Sequence, residues 1–149
     1  MKQVVVIGLG NPLMSDEGIG VRVVQALEAE GVHSRADFVD AGTSGMNALH
    51  AMAGRAKAIL VDCAKMRAEP GTLRRFGPDQ VVSRKELPGF SLHEGDLLNT
   101  IELSRRIGEC PAEVVIFGIE PARVEMGESL SPALASRLGE YVEAVKAEI

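Results

Sequence analysis

The first twenty residues constrain this chain most. Val4-Val5-Val6-Ile7 is an unbroken apolar run, the mark of a strand buried on both faces. Gly8, Gly10, Asn11 and Pro12 then break it into a tight loop. Ser15, Asp16 and Glu17 follow, residue types that suit the start of a helix. Ile19, Val23, Val24 and Leu27 recur at helical spacing until Gly31 stops them. A strand feeding a helix in this way delivers a carboxylate pair to the carboxyl end of a sheet, where open α/β sheets hold their ligands.

The pattern repeats downstream. Phe38-Val39 leads into the glycine-rich turn Asp40-Ala41-Gly42-Thr43-Ser44-Gly45, and Met46, Leu49 and Met52 mark a short helix ended by Gly54. Ala58-Ile59-Leu60-Val61 is another buried strand, closed by Asp62. Glu69-Pro70-Gly71 has the proline and glycine positions of a type II turn, and residues 72–76 read as a strand. Only residues 63–71 separate that strand from the one before it, fewer than the dozen or so a parallel crossover needs, which predicts an antiparallel strand. Gly77 to Phe90 is a long loop of the kind that serves as a lid or a partner contact. Ser91-Leu92-His93-Glu94 matches a capping box opening a helix that runs through Leu97, Leu98 and Ile101 to Gly108. Val114 to Gly118 is the last strand, and Ser131-Pro132 opens a final helix with an apolar stripe of Leu134, Leu138, Tyr141, Val145 and Ile149. The expected fold is one α/β domain, residues 1–149. It is a three-layer sandwich around a mostly parallel, twisted, five-stranded sheet, with the strand at about 72–76 antiparallel and helices on both faces.

Several functions are disfavoured. A net charge of −5 opposes wrapping a nucleic-acid backbone, which needs clustered Lys and Arg. Cys63 and Cys110 form neither a metal motif nor a disulfide framework. Neither a signal peptide nor an apolar run near the ~18 residues of a membrane span is evident, so a soluble, cytoplasmic protein is expected. The glycines fail the dinucleotide fingerprint at Leu13, and no Gly-Lys-Ser/Thr follows. A carboxylate pair at the helix start would also repel a phosphate.

Three residues share a structural address. Glu17 lies just past the first strand, Asp62 closes the third, and His93 falls in the first turn after the long loop. If the first and third strands are neighbours, Glu17 and Asp62 converge at one edge and the loop can bring His93 to them. Two carboxylates and an imidazole suit Zn, Ni or Fe rather than Ca or Mg, and three protein ligands leave a position open for water or substrate. Taken singly, each has a plainer role: dipole complement for Asp16 or Glu17, turn former for Asp62, solvent-facing residue for His93. Asp40 reads either as a turn former or, with Gly42 and Thr43, as part of a substrate-binding loop. His33 and His50 read as surface or packing residues. Cys63 should face away from Asp62 as a buried, inert thiol.

The opening Gly8-Leu9-Gly10-Asn11-Pro12 is similar to that of peptidyl-tRNA hydrolases, but the histidine that family needs shortly downstream is missing, since the first is His33. A longer ordered series resembles the hydrogenase maturation proteases. It comprises Gly8-x-Gly10-Asn11, Asp16-Glu17-Gly18-x-Gly20, Asp40-Ala41-Gly42-Thr43-x-Gly45, Asp62 at a strand end, Ser91-x-His93, Gly118-Ile119-x-Pro121 and Leu130-Ser131-Pro132. Ala41 departs from the glycine usual there. The resemblance implies an endopeptidase that removes the C-terminal extension of a nickel-iron hydrogenase large-subunit precursor after nickel insertion. It makes Glu17, Asp62 and His93 the catalytic, metal-contacting residues. The metal implied is a divalent transition ion, either nickel supplied by the substrate or a resident zinc. No His-Glu-x-x-His motif is present, and whether the peptidase is aspartic-type or metal-dependent stays open. The competing readings are a peptidyl-tRNA-hydrolase-like hydrolase and a non-enzymatic nickel-binding chaperone.

Overall fold

The computed structural model describes residues 1–80, 91–92 and 96–149. Its strands are β1 (Val4–Leu9), β2 (Ala36–Gly42), β3 (Lys57–Lys65), β4 (Leu73–Phe76), β5 (Ser91–Leu92) and β6 (Glu113–Ile119). The helices are α1 (Ile19–Ala29), α2 (Gly45–Met52), α3 (Asp96–Arg106), α4 (Pro132–Ala135) and α5 (Leu138–Glu148), and a short 3-10 turn spans Ser15–Gly18 ahead of α1.

Strand order is β2-β1-β3-β6-β4, so β3 is central and the expected neighbourhood of the first and third strands holds. β1 runs parallel to β2 and β3, and β3 parallel to β6. β4 pairs antiparallel with β6, as the short link from β3 required. Within that link Gly71 has φ +92°, and the Thr72 N–H donates to the Glu69 carbonyl at 3.1 Å, completing the expected Pro-Gly turn.

The strand period of two separates two cores. Ala58, Leu60 and Ala64 of β3 face a cluster with Met52 of α2 and Leu97 and Ile101 of α3. Ile59, Val61 and Cys63 face the other side, against Ile19 and Val23 of α1 and Tyr141 and Val145 of α5. β3 is buried from Ala58 through Ala64 because helices cover both its faces. The three-layer sandwich is therefore as expected. With no Trp and one Tyr, the core is mostly aliphatic, each fully buried Val, Leu or Ile contributing about 1.5–3 kcal/mol.

Two local expectations change. Ser91 and Leu92 are not a helix cap. They form β5, antiparallel to β3 through Ala64↔Leu92 and Lys65↔Ser91. β3 projects beyond its pairing with β1, which ends at Val61, and with β6, which ends at Cys63, so its tip has backbone groups for another strand to satisfy. The rest of the capping box, His93 and Glu94, lies outside the described residues, as do positions 81–90 of the expected long loop. The final helix is two helices, α4 and α5, with Ser131 at the N-cap of the first and Pro132 at N1 as expected. The apolar stripe survives the break because Leu134, Tyr141 and Val145 stay buried in one cluster.

Candidate active site at the carboxyl edge of the sheet

β1 ends in a loop that folds back tightly. Gly10 has φ +123°, and a Cβ there would lie 2.0 Å from the Glu17 carbonyl oxygen, so the loop and the Ser15–Gly18 turn touch backbone to backbone. That contact sets the turn carrying Glu17 against the loop that leaves β1. Ser15 takes φ 55°, uncommon for a non-glycine residue, and its hydroxyl donates to the Glu125 carbonyl at 2.8 Å.

The acidic pair divides its labour. Asp16 is completely buried, and its Oδ2 accepts the Ala122 and Arg123 N–H groups, both at 2.9 Å, while Oδ1 accepts that of Ser131 at 2.7 Å. Glu17 is only half-buried. The plainer reading of an acidic residue here, complement to a helix dipole, misses what Asp16 does. Its partners lie more than a hundred residues downstream, and no local spacing announces them.

Asp62 is fully buried on β3, opposite Gly118 of β6 and one residue past Val61, where the pairing with β1 stops. Its Oδ1 accepts the Cys63 N–H at 2.8 Å. The Ser15–Gly18 turn packs directly on β3. Cys63 follows Asp62 on β3. Burial pushes its thiol far above the ordinary range, reinforced first by the Asp62 carboxylate, then by Glu17, Asp16 and Glu120. The turn carrying Glu17 and the strand carrying Asp62 are in contact at the carboxyl edge, so the neighbourhood expected of their elements holds. Cys63 itself lies on the opposite sheet face from Asp62, also as expected.

His93 lies outside the described residues. Its sequence neighbour Leu92 pairs with Ala64, two residues past Asp62. Among the described residues no three His, Cys, Asp or Glu side chains are grouped to hold a metal ion. Two carboxylates supply oxygen donors of the kind divalent ions accept.

Asp40 is exposed at the end of β2, and its Oδ1 accepts the Gly42 N–H at 2.9 Å, the geometry of a turn former. Gly42 in turn accepts the Gly10 N–H at 2.8 Å, which ties this loop to the one carrying Glu17. Thr43 is exposed on the same rim. His33 packs edge-on to Phe38 and accepts the Arg35 N–H through Nδ1, and His50 is exposed on α2, so both are packing or surface residues. Glu120 is a further buried carboxylate without a sequence signal. Its Oε1 accepts the Met66 and Ala68 N–H groups at 2.6 and 3.0 Å and anchors the chain leaving β3.

A doubly wound sheet with a turn-borne glutamate and a buried strand-end aspartate at its carboxyl edge defines an α/β protein with an acidic, sheet-edge site. A family model described as HycI, hydrogenase maturation protease, matches residues 21–148. The chain belongs to this family of hydrogenase maturation proteases. It is 30% identical over 154 residues to the hydrogenase 2 maturation protease of Escherichia coli strain K12, with 99% of this chain and 90% of the relative covered. The HupD hydrogenase expression/formation proteins of Thiocapsa roseopersicina and Rhodobacter capsulatus are 29% and 31% identical over 95% and 92% of this chain. The chain spans 65% and 66% of their own lengths. The structure of the hydrogenase maturating endopeptidase HybD from E. coli superposes with a TM-score of 0.86 at 31% identity, covering 99% of this chain and 91% of that one. The peptidyl-tRNA hydrolase and nucleotide-binding readings are thereby disfavoured. Among the described residues no helix is long and apolar enough to cross a membrane.

Proposed function

We propose that this protein is an endopeptidase that removes the C-terminal extension of a nickel-iron hydrogenase large-subunit precursor once nickel has been inserted. One observation supports the reading within the family: the turn bearing Glu17 is packed on β3, the strand that carries the buried Asp62. In this reading Glu17, Asp62 and His93 engage the nickel ion that the precursor carries, so the ion belongs to the substrate and serves as proof of loading. A resident zinc on the same donors is the competing assignment. Asp40, Gly42 and Thr43, on a loop tied to Gly10, would contact the precursor segment beside the scissile bond. Holding that segment fixed converts attack by water into an effectively intramolecular step. The water oxygen bonds to the carbonyl carbon, the C–N bond breaks, and the water proton passes to the departing amine. We place the reaction in the cytoplasm, where the free thiols of Cys63 and Cys110 would stay reduced.

The test is incubation with matched precursor in nickel-loaded and nickel-free forms, read by product mass. Loaded precursor should lose its extension and unloaded precursor should not. Glu17→Gln, Asp62→Asn and His93→Ala should each stop cleavage in protein that remains folded. Equal cleavage of both precursor forms would remove nickel sensing. Binding of loaded precursor without any change in mass would identify a chaperone instead.

A further inference from the structure

We infer that Asp16 is a positioning residue, which holds Glu17 at the sheet edge through the loop between β6 and α4. The inference rests on the role proposed for Glu17. Asp16 is the charged member of a zipper joining two loops. The Ser15 N–H donates to the Gly127 carbonyl at 2.9 Å, and the Gly127 N–H returns to the Leu13 carbonyl at 2.8 Å. The Asp16 N–H donates to the Arg123 carbonyl at 3.1 Å, while its carboxylate collects the N–H groups of Ala122, Arg123 and Ser131. Every one of these bonds fixes the backbone adjoining Glu17.

Two features make the hold specific. Both Asp16 oxygens are occupied by N–H donors, so the site requires an acceptor on each branch. An asparagine would turn its amide NH2 against Ala122 and Arg123 or against Ser131. Glu17 also has little freedom of its own. Its N–H bonds the Met14 carbonyl at 3.2 Å, and its carbonyl sits against Gly10. If the turn lifts from the loop, the Glu17 carboxylate moves with it.

The test compares wild-type protein with Asp16→Asn and, should that variant fold poorly, Asp16→Ser, which removes the carboxylate without adding an amide. Glu148→Gln is the stability control, because Glu148 binds Lys57 at the opposite, amino edge of the sheet. Two readouts are taken on folded protein: amide exchange at residues 14–18 against 58–61, and the split of kcat from KM on nickel-loaded precursor. The expected result is exchange at least tenfold faster at 14–18 with 58–61 unchanged, and kcat lowered at least tenfold with KM within twofold. The control should lose stability yet keep kcat. Unchanged exchange at 14–18, or unchanged kcat despite faster exchange, would overturn the inference. If wild-type protein leaves loaded precursor uncut, the proposed reaction fails, and the exchange comparison alone upholds or overturns the hold of Asp16 on the turn.

Discussion

Asp62 and Gly118 are register partners on the adjacent strands β3 and β6, so the buried carboxylate stands beside a position that carries no side chain. Space there is already taken. A Cβ at 118 would come within 2.8 Å of the Ala64 Cβ and 3.4 Å of the Phe76 ring.

Gly118→Ala should therefore force β3 and β6 apart next to Asp62. Overpacking of this kind costs about 1–3 kcal/mol. Urea denaturation should show the loss, and precursor cleavage should fall by more than stability alone explains. Wild-type stability in the variant would refute the tight packing at Ala64.

Tyr141 is fully buried, and its hydroxyl donates to the Gly71 carbonyl at 2.6 Å, pinning the turn before β4 to α5. Tyr141→Phe keeps the ring but strands a buried acceptor, at a cost of about 1–3 kcal/mol. Neither Tyr141 nor Gly71 supplies a group to the proposed site, so cleavage by the folded variant should stay near wild type. The denaturation midpoint and the cleavage rate, measured on one preparation, check both halves.

Glu148 gives the chain an acid-sensitive tie. The Arg75 guanidinium, bonded to it at 2.7 and 2.9 Å, and secondarily Lys57, hold its carboxyl down to about 2 from an ordinary 4.5. A depressed carboxyl contributes stability that is complete above its unfolded pKa and lost as pH falls through the folded one. Because Arg75 is half exposed, the contribution is on the order of 1 kcal/mol. Wild-type protein should exceed Glu148→Gln by that margin above pH 5, and the two curves should merge as the pH approaches 2. A gap that persists at pH 2 would assign the effect to packing rather than charge.

Cys63 and Cys110 should differ in reactivity. The Cys63 thiol is buried, and burial with the nearby carboxylates pushes its ionisation up, whereas Cys110 is only half-buried. Iodoacetamide at pH 8 should label Cys110 in native protein and reach Cys63 only in denaturant. Peptide mapping reads the outcome, and rapid native labelling of Cys63 would contradict its burial.

Much of the architecture was legible from residue order because it depends on local period and chain length. The run from Val4 to Ile7 could hardly be other than a doubly covered strand, and the helical spacing from Ile19 to Leu27 places α1 on one face of it. The shortness of the segment from Cys63 to Gly71 sets the antiparallel sense of β4, since too few residues remain to cross over. The stripe from Leu134 to Val145 marked a buried face, but hydrophobic period does not register a break between α4 and α5. Ser91-Leu92 misled for a related reason. A capping box is a statement about neighbours in sequence, while the unpaired tip of β3 is a demand made by a distant strand.

The site divides along the same line. Sequence by itself determined that acidic residues would be carried to the carboxyl edge of a parallel sheet, because strand direction and loop placement follow from the order of apolar runs. Only the tertiary structure decided which member of the Asp16-Glu17 pair turns inward. That choice depends on N–H groups at Ala122, Arg123 and Ser131, and hydrogen bonding to a buried carboxylate is a property of positions in space, which a linear pattern does not encode.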